Sequence, residues 1–85
     1  MGLLDLFPQE IIHDVPRITL TGCDDLLVEQ HRGLVVYTQD KIVFQTGVGE
    51  LHIEGDSLSF IAFSTAAARI SGKIMSIRFT CIGGM

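Results

Sequence analysis

Tryptophan is missing from this 85-residue sequence, tyrosine occurs once, and six lysines and arginines face ten acidic residues, for a net charge of −4. Nucleic-acid binding depends on clustered lysine and arginine that displace counterions from phosphates. Here the six are scattered, which argues against a nucleic-acid partner and against a basic membrane-surface patch. The five phenylalanines stand mostly where a strand would turn them inward, so they offer no base-stacking platform of the kind an OB-like single-strand binder uses. Cysteine is equally scarce. Cys23 and Cys81 are too few for a disulfide framework and lack the C-x-x-C spacing of a zinc site or redox pair, so both read as reduced packing residues. No run approaches the ~18 apolar residues of a membrane span. The opening "MGLLDLFPQE" lacks the basic start and apolar run of a signal peptide, and Leu6 occupies the place where myristoylation requires Ser or Thr. These exclusions point to a soluble, cytoplasmic protein with no direct membrane span.

What the sequence has in quantity is apolar residues, at 47%, together with nine glycines. A chain this short buries only about 60 to 65% of its unfolded surface, so its core is thin. An apolar surplus on a thin core leaves some side chains uncovered in the monomer, the usual mark of an interface. A homo-oligomer or a protein partner is therefore expected.

The periodicity is two almost throughout. Ile18 and Leu20, Leu26 and Val28, Leu34 and Val36, Ile42 and Phe44, Leu51 and Ile53, Leu58 and Phe60, Ile70, and the group Met75, Ile77 and Phe79 all fall on alternating positions. Such alternation buries one face of a strand and turns the other to water or a partner. Between these runs lie the turn-forming segments "GCDD", "QHRG", "TQDK", "TGVGE", "GDS" and "SGK". The expectation is an all-β fold, a single small domain of about seven or eight short, mostly antiparallel strands in a meander sandwich or small barrel.

A weak repeat offers an alternative. "IEGDSLSF" (53–60) and "ISGKIMSI" (70–77) share Ile, Gly and Ser, and regular repetition of that kind also marks a short β-solenoid. Solenoid coils usually stack identical side chains, and the residues after each Gly here differ in size and charge, which favours the meander. Within 1–85 as one domain, residues 1–15 form an N-terminal segment with room for one helical turn between Pro8 and Pro16. Residues 16–80 carry the strands, and 81–85 form a loose tail. "TAAARI" reads as a connection. The run "LSFIAFST" is apolar on both faces, so Ile61 and Phe63 need cover from a central position or another subunit.

Candidate chemistry is thin. His52 shares a strand face with Glu50 and Glu54, His13 and Asp14 precede Pro16, and Asp24 and Asp25 are adjacent. None has metal-ligand spacing or an EF-hand pattern. "GVG" (47–49) is followed by neither Lys-Ser/Thr nor a helix, and no serine sits in a nucleophile elbow. No catalytic residue, metal or cofactor is expected. The more promising element is His31, Arg32 and Gly33, which reads as a hairpin loop with Gly33 at positive φ and Arg32 projecting. With Arg17, Ile61 and Phe63, these are the candidate partner-binding residues. The competing reading is a small metal-dependent or hydrolytic enzyme built on His–carboxylate pairs.

"DVPRITLTG", "VEQHRGLVVYT", "GELHIEGDSLSF" and "ISGKIMSIRF" resemble segments of the YabP/YqfC family of sporulation proteins, closer to the YqfC branch. The resemblance covers about residues 8 to 80. It is most specific at Pro16, Arg17, Ile18, Thr19 and Gly22 and at His31, Arg32, Gly33 and Leu34; Leu51, Ile53 and Gly55 add less. It implies a non-enzymatic protein of endospore-forming bacteria, made in the mother cell and needed for spore morphogenesis. It further implies a membrane-anchored sporulation partner, through which the protein would lie peripheral to the forespore membrane. The basic helical stretch that opens many members of this branch has no counterpart in "MGLLDLFPQE".

Overall fold

The computed structural model describes residues 15–81. The helical turn expected before Pro16, the His13–Asp14 pair and the tail beyond Cys81 lie outside them. Six strands follow in chain order: β1 (Arg17–Thr21), β2 (Asp25–Glu29), β3 (His31–Tyr37), β4 (Lys41–Thr46), β5 (Gly49–Phe63) and β6 (Ala67–Cys81). They form one sheet in the order β1-β2-β6-β5-β4-β3, with every neighbouring pair antiparallel. The fold is all-β, as the alternation implies. A solenoid would stack parallel coils, so the antiparallel ladder excludes that alternative.

Six strands replace the expected seven or eight because "GDS" and "SGK" bend strands without ending them. The runs 49–54 and 58–63 are two halves of β5, and β6 is continuous in the same way. The two glycines of the weak repeat make this possible. A Cβ on Gly55 would collide with the Lys73 carbonyl, and one on Gly72, at φ +122°, would come within 2.5 Å of the Ser57 carbonyl oxygen. The repeat thus marks one crossing point, met once from each strand. Ser57 adopts φ 56° at the same corner.

Because both long strands bend there, the sheet folds over on itself. β2 pairs with the first part of β6, and β4 with the first part of β5, at opposite ends of the hairpin. Leu26 and Val28 from one end meet Ile42, Phe44, Leu51 and Ile53 from the other in a single buried cluster, joined by Leu58, Ala68, Ile70 and Ile74. Backbone bonds tie the halves together: Gln30 N–H donates to the Ala66 carbonyl (2.7 Å), Leu58 N–H to Gln39 (2.7 Å) and Ile74 N–H to Cys23 (2.7 Å).

Bulges account for three departures from the expected alternation. Gly55 opposes Ile74 while Glu54 opposes Ser76, so Met75 is the extra residue. Ile74 takes the interior place and Met75 turns outward, 68% exposed. Phe60 opposes Ile70 and Ala62 opposes Arg69, which leaves Ile61 as a second extra residue. A third shift, between Leu34 and Val36, isolates Val35.

Candidate binding surface

The connection between β2 and β3 is not the hairpin expected of "QHRG". β2 pairs with β1 and β6 while β3 pairs with β4, so the chain crosses from one half of the sheet to the other at Gln30, which takes φ 64°. His31 is consequently buried rather than displayed on a loop. Its ring lies 4.9 Å from that of Phe44 and 5.4 Å from that of Phe63. Nε2 is 3.2 Å from the Ser64 carbonyl. A carbonyl can only accept, so Nε2 carries the hydrogen and Nδ1 is left as a buried acceptor without a partner among the described residues.

The other candidates separate by position. Gly33 does take the positive φ, at 151°, and a side chain there would meet open space. Arg32 is exposed beside it. Arg17 is exposed at the start of β1, opposite Glu29 and at the far end of the strand order from β3. Ile61 and Phe63 are 61% and 50% exposed. The structure brings His31 and Phe63 into contact and continues the row, with Phe63 edge-on to Phe60 (5.1 Å) and Phe60 tilted against Tyr37 (4.7 Å). This aromatic seam joins β3 to the second half of β5.

Edge strand β3 is the element the alternation misjudged. Leu34 and Val36 are each 37% exposed, Val35 is 53% and Tyr37 is 47% exposed. The signal was in the sequence, since "LVVY" is apolar at both parities, as "SFIAF" is. Only the strand order shows that β3 lacks a second neighbour among the described residues. At the other end of the hairpin, Leu27, Ala62, Phe63, Ala67 and Arg69 help to line a shallow hollow of about 220 Å³. That is below the roughly 300–1,000 Å³ of small-molecule clefts.

Polar chemistry is dispersed among the described residues. His52 Nε2 lies 3.2 Å from Glu50 Oε1, the pair anticipated on that strand face. No group of three or more His, Cys, Asp or Glu capable of holding a metal occurs among the described residues. Asp25, anticipated as a solvated turn residue, is held by Arg69 from β6, whose Nε and Nη2 donate to the two carboxylate oxygens at 3.0 and 2.6 Å. That hydrogen bonding holds the Asp25 carboxyl below its ordinary value and raises Arg69. Cys23 and Cys81 are free and exposed. No described helix is long and apolar enough to cross a membrane.

Together these features define a small all-β domain, folded about a corner, whose edge strand and aromatic seam are apolar and open. The YabP family model matches residues 13–83, and the chain belongs to that family, which is associated with sporulation. It is similar to the "Uncharacterized protein YqfC" of Bacillus subtilis (strain 168), 26% identical over 72 residues that make up 85% of this chain and 77% of that protein. No solved structure matches.

Proposed function

We propose that this protein is a non-enzymatic interaction module of spore morphogenesis, acting in the mother cell of an endospore-forming bacterium beside a membrane-anchored partner. The carrying observation is the exposed apolar surface of β3 and the end of β5: Val35 at 53%, Tyr37 at 47%, Ile61 at 61% and Phe63 at 50%. An apolar edge strand is a template for pairing with another chain, and a protein that keeps one uncovered gains a binding edge at the risk of aggregation. Membership of a sporulation-associated family supplies the setting. The partner holds the domain at the forespore membrane, and Arg17 and Arg32 orient it through charge.

Val35→Lys tests the reading. Val35 is an exposed bulge residue, so the fold should survive with a stability change within about 0.5 kcal/mol, while spore formation falls in cells carrying the variant. Normal sporulation with Val35→Lys and with Phe63→Lys would remove this surface from the function. The enzyme reading, which the His52–Glu50 contact favours, predicts instead a stoichiometric transition metal in the purified protein or a sporulation defect from His52→Ala alone.

A further inference from the structure

We infer that the shallow hollow over Leu27, Ala62 and Ala67 is a docking site for Ile11 and Ile12 of the same chain. The inference goes beyond the interaction-module reading and does not depend on it. The hollow is an apolar break in a polar face. Leu26 and Val28 are fully buried in the core, so Leu27 between them points to the opposite face of β2. Across that face Leu27 lies between Thr19 and Arg69, with Ala62 opposite Arg69 on β5. In the next row Arg17 stands opposite Glu29, and Glu29 opposite Ala67. Two alanines among these longer side chains leave the depression, and Phe63 contributes to its lining.

The point at which the chain enters the sheet selects the occupant. β1 begins at Arg17, two strands from Ala67. That distance is about 10 Å at 4.7–4.9 Å per strand. Ile12 stands five residues before Arg17, a span of about 8 Å if helical and about 17 Å if extended, so its side chain reaches the hollow either way. The chain bends at Val15 instead of running on in the line of β1. Val15 is itself 47% exposed. On the helical turn that the sequence allows between Pro8 and Pro16, Ile11 and Ile12 fall four and three residues before Val15, so the three share one apolar face. Size agrees with this occupant. A hollow of about 220 Å³ takes roughly one or two aliphatic side chains. A separate protein would need far more surface, since a stable interface buries about 1,200 Å² or more. A tethered segment needs no such area, because its effective concentration is on the order of millimolar. Docking there also covers part of Phe63 and leaves Val35 and Tyr37 open.

The experiment uses the full chain with Cys23→Ser and Cys81→Ser, so that one introduced thiol is read by its rate of reaction with a soluble aromatic disulfide. Ala62→Cys should react about tenfold more slowly than Ser76→Cys, which lies on β6 in the other half of the sheet, although both positions are exposed. Adding Ile11→Asp/Ile12→Asp should bring the two rates together, with circular dichroism confirming the fold. Ala67→Cys is the second probe should Ala62→Cys not fold, and Ile12→Ser the milder variant should the double one not fold. Slow reaction at the hollow that is the same at every protein concentration supports the inference. Slowing that grows with concentration assigns the hollow to a second copy and overturns it. Equal rates at the two sites, or protection that survives loss of the isoleucines, overturns it as well. The effect of Val35→Lys on spore formation is read separately, so the interaction module can stand or fall without this site.

Discussion

Gly72 shows how much one backbone position can carry. It combines a left-handed φ of +122° with a Ser57 carbonyl oxygen 2.5 Å from where a Cβ would sit. Gly72→Ala should therefore destabilise the domain by roughly 2–3 kcal/mol, the sum of strained dihedrals and a displaced partner strand. Urea unfolding would measure it, and a loss below about 0.5 kcal/mol would mean the corner is not rigid. At Asp25 the expected effect is one of pH. Its folded carboxyl titrates below the ordinary value because Arg69 donates hydrogen bonds to it. The contribution is thus complete above the unfolded value, about 3.9, and is lost as pH falls through the lower folded value. Asp25→Asn should flatten the decline in stability below about pH 4 and change little at neutral pH, a comparison that thermal melts at several pH values would make. Both partners are substantially solvated, so the effect is small.

Among the elements, β3 and the two long strands account for most of the difference between alternation and structure. The inward rows at Leu26 and Val28, Ile42 and Phe44, and Leu51 and Ile53 were legible, and all six are fully buried. What alternation could not register is a bulge, which adds one residue and reverses the parity beyond it, as at Met75. Nor could it show which strand ends the sheet, since edge and central strands differ in their neighbours rather than in their own composition. Arg32 belongs to this scale. It is exposed on an edge strand next to an open Gly33. Arg32→Ala should keep the domain folded, within about 0.5 kcal/mol, and impair spore formation. If the variant instead melts, the arginine is part of the fold.

Across the whole molecule, the two halves of the sheet have no separate cores. Leu26 and Ile70 from one half and Phe44 and Leu51 from the other share one cluster, and β5 and β6 run through both. Unfolding should therefore be a single cooperative transition. Tyr37, the one tyrosine, sits on the seam, so its fluorescence and the far-UV circular dichroism should report the same urea midpoint. Two separated midpoints would mean that β3 and β4 open independently of the rest.

Local chemistry in the sequence determined that the chain is β-structured, which side chains fill most of its interior, and where most of the turns fall. Those properties depend on residues near one another along the chain. The tertiary structure decided that two apparent turns are bends in continuous strands, that His31 is buried while Arg32 is displayed, and that Tyr37, Phe60, Phe63 and His31 form one row. Each of these depends on strands distant in sequence being folded together at the Gly55–Gly72 crossing, a contact that no local pattern of residues contains.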